Sequence, residues 1–77
     1  MDNIFKKALK IGKKLAREAY DECDGDYVGE ELHETFEFEG LNYEANYSVF
    51  WESSNHFDCS VNGVDNGYYN YKCCNDF

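Results

Sequence analysis

Positive charge is scarce in this sequence beyond its first twenty residues. Of the seven Lys and Arg residues, only Lys72 lies after residue 20, whereas the chain contains 16 Asp and Glu and has a formal net charge of −9. Proteins gain affinity for nucleic acid mainly from Lys and Arg that neutralise phosphates. The balance of charge therefore argues against direct binding of nucleic acid.

Other signatures are missing as well. No run of about 18 apolar residues is present, so no membrane-spanning helix is predicted. Neither histidine lies in a nucleophile pattern and the six glycines form no phosphate-binding loop, so we do not expect an enzyme. Lysines interrupt the apolar residues near the start, which is unlike an export signal, and we expect a cytoplasmic protein. A length of 77 residues accommodates a single domain, 1–77.

The cysteines do not have the spacing of a metal site. The chain has four, with no C-x2-C pair: Cys23, Cys59, Cys73 and Cys74. We expect them to be reduced in a cytosolic setting, with disulfide bonds as the alternative. Asp24, Asp26 and Gly29 match three positions of an EF-hand loop. Val28 and Thr35 do not supply the ligands that the loop needs elsewhere. We therefore expect no bound metal and no cofactor.

Residues 1–23 have the spacing of an amphipathic helix. On a helical wheel the apolar side chains fall within an arc of about 180°, and all six cations of this segment fall on the opposite side. The centre of the apolar arc carries small residues, Ala8, Gly12 and Ala19. We predict that this face lies close against a flat or aromatic surface such as a sheet.

The basic helix is open to two interpretations. Its apolar face can cover the rest of the domain, which we favour, or residues 1–20 can form a membrane-surface helix. Asp2 or Asn3 is expected to cap its start, and Gly25 to end it.

From Glu34 onward the apolar residues recur with a period of two. Four segments show the alternation of half-buried strands, namely 34–39, 42–52, 56–62 and 68–73. Turn residues separate them, with Gly40 in the first turn and residues 52–55 in the second loop. The third connection contains Asp65-Asn66-Gly67, a type I′ hairpin signal that competes with Asn62-Gly63. Residues 24–33 fit a loop with a helical turn near Glu30–His33.

The predicted fold is α+β, with one N-terminal helix packed on a three- to four-stranded antiparallel meander over residues 34–74. The helix is expected to cover Phe36, Phe38, Tyr43, Ala45, Tyr47, Val49, Trp51, Phe57, Cys59, Val61, Tyr69 and Tyr71. The other face is expected to carry Glu37, Glu39, Glu44, Asn46, Ser48, Asp58, Ser60, Asn62, Asn70 and Lys72.

The acidic residues are concentrated in one part of the chain. Residues 1–20 have a net charge of +4 and residues 21–77 of −13, and no Lys or Arg interrupts the ten acids between Asp21 and Glu44. Like charges on neighbouring strands repel, so their concentration favours a binding surface over mere solubility. The predicted partner-binding residues are Asp24, Asp26, Glu30, Glu31, Glu34, Glu37, Glu39, Glu44 and Asp58. Such a surface attracts a basic partner and can occlude a channel that binds DNA or RNA.

In size and charge the whole chain resembles the small acidic anti-defence proteins encoded by phages, which include anti-CRISPR proteins that mimic DNA. The resemblance is carried by acids such as Glu30, Glu31, Glu34, Glu37, Glu39, Glu44 and Asp58. It implies inhibition of a CRISPR surveillance or effector complex in the cytoplasm of a bacterial host, by blocking entry of target DNA.

Three other functions fit the same sequence. An antitoxin or immunity protein against a basic nuclease would use the same acids. A membrane-surface protein would act through residues 1–20. A host-protein adaptor would use exposed aromatic residues such as Tyr68, Phe50 or Phe77.

Overall fold

One helix precedes four strands along the chain. The computed structural model describes residues 2–23, 29–51 and 55–76, with the backbone alone at residues 23 and 74–76. The elements are α1 (Asn3–Cys23), β1 (Gly29–Phe38), β2 (Leu41–Phe50), β3 (His56–Gly63) and β4 (Tyr69–Asp76). The strands form one antiparallel sheet in the order β1-β2-β3-β4, with α1 packed on one face. The predicted α+β meander is confirmed, with four strands.

The helix lies close to the sheet because its central face is small. Ala8 and Ala16 are fully buried, and Gly12 between them packs against the rings of Tyr47 and Phe57. The Tyr47 hydroxyl donates a hydrogen bond of 2.7 Å to the carbonyl oxygen of Ala8. Burial of this face accounts for the helix position, since it removes apolar surface from water on both layers.

Asp2 both caps the helix and fastens it to the sheet. Its Oδ1 accepts a hydrogen bond of 2.7 Å from the amide of Phe5, which confirms the predicted cap. Its carboxylate also accepts from the Tyr68 hydroxyl, at 2.8 and 2.9 Å, and from Asn70 at 3.4 Å. These hydrogen bonds, led by the one from Phe5, lower the pKa of Asp2. The predicted end of the helix at Gly25 lies outside the described residues.

The turn between β1 and β2 consists of two residues, Glu39 and Gly40. Both have positive φ, 51° at Glu39 and 81° at Gly40. This pattern is that of a type I′ turn, whose twist matches that of the flanking strands. Glu39 is therefore a residue with a Cβ in the left-handed region, where L-residues other than Asn and Asp are disfavoured.

Glu39→Asn is expected to stabilise the protein by about 0.5–1 kcal/mol, because asparagine tolerates the left-handed conformation that this turn requires. Urea unfolding measures the change. Glu37→Asn is the matched control, since it removes the same charge from an extended strand residue. Equal shifts in the two variants would attribute the effect to charge and contradict the backbone explanation.

Strand β1 is longer than predicted. It begins at Gly29, so the helical turn expected near Glu30–His33 is wrong. Residues in this part pair with the end of β2, with Gly29 opposite Phe50, and Leu32 packs against the core from the helix side. Pairing with β2 and burial of Leu32 override the local preference of the acidic residues.

The connection between β3 and β4 differs from a two-residue hairpin. Five residues, 64–68, separate the strands, and of Asp65, Asn66 and Gly67 only Gly67 has positive φ. The type I′ prediction is therefore wrong. The Asn66 side chain shapes the loop instead: its Oδ1 accepts from the Tyr68 amide at 3.1 Å and its Nδ2 donates to the Tyr43 hydroxyl at 3.2 Å.

The first ten residues predicted to face the helix are confirmed as buried or packed against the core. The last two, Tyr69 and Tyr71, are wrong: they lie opposite Asn62 and Ser60 and are 65% and 53% exposed. Because β4 runs in the other phase, Asn70 and Lys72 lie on the helix side, not on the open face as expected. Their partners on β3 are the buried residues Val61 and Cys59.

The phase of β4 is set by Tyr68. Its ring packs edge-on against Tyr43, with centroids 5.6 Å apart, and its hydroxyl reaches Asp2. Tyr68 is therefore half-buried against the core, not one of the exposed aromatic residues expected. Since side chains alternate along a strand, Tyr69 and Tyr71 must lie on the opposite face.

Candidate functional site

The face of the sheet away from α1, hereafter the open face, is built from alternate residues of all four strands. The register sets their rows. The residues of the open face are Glu31, His33, Thr35, Glu37, Asn42, Glu44, Asn46, Ser48, Phe50, His56, Asp58, Ser60, Asn62, Tyr69 and Tyr71. Within this described set no side chain is Lys or Arg, because Lys72 lies on the helix side.

Four predicted site residues lie on the open face, as two pairs near its two ends. Glu31 and Asp58 occupy one row on either side of Ser48, about 10 Å apart at two strand spacings. The Ser48 hydroxyl donates to Glu31 Oε1 at 3.4 Å. Glu37 and Glu44 are diagonal neighbours near the other end, about 7–8 Å apart. The open face is therefore anionic near both of its ends.

The remaining predicted site residues lie elsewhere. Glu30 and Glu34 project on the helix side of β1, since they pair with the buried residues Val49 and Ala45. Glu39 is in the turn and not on the open face as predicted. Asp24 and Asp26 are outside the described residues. The structure thus brings four of the nine predicted acids to one surface.

Aromatic rings and imidazoles lie beside the acids of the open face. Phe50 stacks on His56, with ring centroids 5.1 Å apart and an interplanar angle of 28°. The charge of Asp58, together with a hydrogen bond to it, raises the pKa of Tyr71. Exposed tyrosines beside carboxylates are typical of protein-binding surfaces, because a ring supplies contact area at little cost in conformational entropy.

His33, Tyr69 and Tyr71 belong to the open face but were not among the predicted site residues. Their signal differs in clarity. His33 shares the phase of Thr35 and Glu37, so extending the alternation backwards would have placed it on the open face. The phase of β4 is ambiguous, because Tyr68, Tyr69 and Tyr71 supply aromatic rings in both phases.

The cations lie on the opposite side of the molecule. The outward side of α1 exposes Lys6, Lys10, Lys13, Lys14 and Arg17. Lys7 is directed to the sheet edge, where its Nζ donates to the carbonyl oxygen of Glu37 at 2.7 Å and lies 5.8 Å from the centre of the Phe36 ring. The two layers therefore separate the charges, with the helix surface positive and the open face negative.

The described cysteines and acids form no metal centre. Cys59 is a free, buried thiol and Cys73 is a free, exposed one. Burial raises the pKa of Cys59 to about 12, so this thiol is unreactive at neutral pH. Within residues 2–23, 29–51 and 55–76, no three His, Cys, Asp or Glu residues are grouped so that they could hold a metal ion.

Described residues line surface cavities at two places. One, of about 460 Å³, is lined by Gly29, Glu30, Glu31, Ser48, Val49 and Phe50, where β1 begins and β2 ends. The other, of about 300 Å³, lies between Lys6, Leu9, Lys10 and Lys13 on the helix. The first combines an apolar lining with carboxylates, which suits a long cationic side chain.

No family model matches the chain, and comparison with curated proteins and with solved structures finds no similar protein. Across the described part of the chain, no helix has the length and apolar character needed to cross a lipid bilayer. The function must therefore be argued from the surfaces of this fold alone.

Proposed function

We propose that the protein is an acidic inhibitory binding protein that occupies the nucleic-acid-binding surface of a bacterial defence complex. The particular activity that we propose is that of an anti-CRISPR protein, which blocks binding of target DNA by mimicking its charge. The observation that carries the proposal is the open face, where Glu31, Glu37, Glu44 and Asp58 lie without a Lys or Arg among its described side chains.

The distribution of charge supports an electrostatic mode of binding. A groove that binds DNA is lined with Lys and Arg, and an anionic surface steers towards it at rates that fall as salt rises. Because α1 holds the cations of residues 1–20 on the far layer, the open face can approach such a groove without presenting them. The same negative field disfavours direct contact with DNA.

The membrane-surface alternative loses its apolar face in this fold. Phe5, Ala8, Ala16 and Ala19 are buried against the sheet. A helix that binds in the membrane interface needs this face for the acyl boundary. What remains exposed is the basic side, whose attraction to lipid would be purely electrostatic.

A charge-reversal experiment tests the proposal. Purified, guide-loaded CRISPR effector complexes of several types are incubated with the protein, and binding of target DNA is measured by gel shift. Glu31→Lys/Glu37→Lys/Glu44→Lys is expected to weaken inhibition about 100-fold, because a like charge placed in a cationic groove costs several kcal/mol. Inhibition by the unmodified protein is also expected to weaken as salt concentration rises.

The matched control is Glu18→Lys/Asp21→Lys/Glu22→Lys, which makes the same change in net charge at exposed positions of α1. This variant should inhibit as the unmodified protein does. Equal loss in both variants would point to net charge instead of the open face. If no complex in the panel loses DNA binding, or if the open-face variant inhibits fully, the proposal is wrong.

A further inference from the structure

The free edge of β1 is defined by the turn that follows it. In the two-residue turn, Phe38 and Leu41 form the closing hydrogen-bonded pair. Every second residue of β1 before Phe38 therefore also hydrogen-bonds β2 through its backbone. The bond from the Val64 amide to the Asn42 carbonyl, at 3.0 Å, fits the same alternation on the other side of β2. The intervening residues of β1 direct their backbone amides and carbonyls away from the sheet. They are Gly29, Glu31, His33, Thr35 and Glu37.

Side chains already occupy the second half of this edge. Glu34 Oε1 accepts from the outward amide of Thr35 at 3.1 Å, and Lys7 Nζ donates to the outward carbonyl of Glu37. On the opposite edge of the sheet, Asn70 Oδ1 accepts from the outward amide of Tyr71 at 2.8 Å. A side chain that bonds an outward amide or carbonyl competes with an added strand for that group.

The first half of the edge carries no such cap. Among the described residues, no side chain bonds the outward backbone groups between Gly29 and His33. This stretch spans about 13 Å of extended chain and offers up to three amides and three carbonyls. It is therefore a template for β-augmentation, in which an extended peptide adds as a further strand.

The charge beside this edge specifies the peptide. Glu30 projects on the helix side and Glu31 on the open side, so an added strand meets a carboxylate on each of its faces. Two adjacent residues of a strand also point to opposite faces. A pair of adjacent basic residues would thus place one cation against each acid. The cavity of about 460 Å³ at Gly29, Val49 and Phe50 adds room for an aliphatic stem.

We propose that the edge of β1 from Gly29 to His33 binds an extended segment of another protein that carries two adjacent Lys or Arg residues. The backbone of β1 supplies the hydrogen bonds, and Glu30 and Glu31 select the basic pair. A second copy of β1 fits less well, because a full-length pairing would meet the groups already capped by Glu34 and Lys7. The inference does not depend on inhibition of a defence complex.

Two proline variants test the proposal. His33→Pro removes an outward amide without removing a bond to β2, so the sheet is expected to persist. Thr35→Pro is the matched control, because its outward amide is already capped. The probe is a capped six-residue peptide with a central Lys-Arg pair between threonine and valine residues. By NMR titration, His33→Pro should lower affinity at least tenfold and Thr35→Pro less than twofold.

Hydrogen exchange and an N-methylated peptide test strand addition without relying on the proline variants. In the unmodified protein, the peptide should protect the amides of Glu31 and His33 from hydrogen exchange, and N-methylation of the peptide should reduce affinity at least tenfold. Unchanged affinity for the N-methylated peptide overturns strand addition even if His33→Pro does not fold.

A dimer in ultracentrifugation that His33→Pro dissociates would assign the edge to a second copy instead. The three carboxylates reversed in the test of inhibition are intact in both proline variants, so the two proposals fail separately.

Discussion

Gly12→Val is expected to remove most of the free energy of unfolding at 25 °C. A Cβ at position 12 would lie 2.5 Å from Cε1 of Tyr47 and 2.9 Å from Cε2 of Phe57. Both rings are themselves fully buried, so neither can move aside without disturbing the rest of the core. Valine adds two further methyl groups to this contact.

The magnitude follows from the size of the domain. Overpacking a filled core costs about 1–3 kcal/mol, and three added carbon atoms place this variant at or above the upper value. A core of this size supplies only about 3–5 kcal/mol of net stability. The loss therefore removes most of the free energy of unfolding, even though valine is a better helix former than glycine.

Far-UV circular dichroism and urea unfolding measure the loss. Lys13→Val is the matched control, since it places the same side chain one residue further along α1 at an exposed position. It should cost no more than about 0.7 kcal/mol, the range of helix propensity among ordinary residues. If Gly12→Val and the unmodified protein unfold at the same urea concentration, the close contact between α1 and the aromatic rings is contradicted.

Gly12 also shows which parts of the fold are predictable from sequence. The small residues at the centre of the apolar arc were enough to predict a helix lying close to an aromatic sheet, because only one face of α1 is apolar. Strands β2 and β3 were equally clear, since apolar and polar residues alternate in β2 as far as Val49 and in β3 as far as Asn62. In these segments local pattern and tertiary packing agree.

The first half of β1 was not predictable in the same way. Glu30 and Glu31 are acids in both phases of the strand, so no alternation marks this part as extended. An edge strand bonds a neighbour on only one side, and its outer residues stay solvated whichever face they occupy. The strand is determined by its long-range pairing with β2, which the sequence alone does not reveal.

The candidate site was predictable where the strand phase was clear. Glu37, Glu44 and Asp58 alternate with buried neighbours and lie on the open face as expected. Glu34 shares the phase of Phe36, so its position on the helix side could also have been predicted from the period of two. Tyr69 and Tyr71 lie on the open face because Tyr68 faces the helix. Tyr68 is hydrogen-bonded there to Asp2, which is 66 residues away in sequence, so local pattern does not reveal this arrangement.

Raising the pH is expected to unfold the protein near pH 11, because two buried acidic groups must remain protonated in the fold. Burial raises the pKa of Cys59 to about 12 from 9.0 and raises the pKa of Tyr47 above 10.0. A group whose pKa is higher in the folded than in the unfolded state stabilises the fold fully at pH values below its unfolded-state pKa. Its contribution is lost as the pH rises towards the folded pKa.

The size of the effect can be set against the total stability. At pH 11 the unfolded state gains about 3 kcal/mol from ionisation of Cys59 and about 1 kcal/mol from ionisation of Tyr47, because each pH unit above the ordinary pKa contributes about 1.4 kcal/mol. The two contributions approach the about 3–5 kcal/mol that a small core provides. Both side chains are at most 1% exposed, so solvent relieves little of this penalty.

The slope of unfolding free energy against pH separates these groups from the rest. The slope is measured between pH 9 and 11 in reducing buffer. Cys59→Ala and Tyr47→Phe should each flatten it, and the double variant should remove most of it. Each substitution also lowers stability at neutral pH, which changes the height of the curve and not its slope. Cys73→Ala, at an exposed thiol, should leave the slope as it is. A double variant with the slope of the unmodified protein would show that Cys59 and Tyr47 ionise within the fold. The interior around Cys59 and Tyr47 would then not exclude water as the structure requires, since burial away from water is what raises the pKa of both groups.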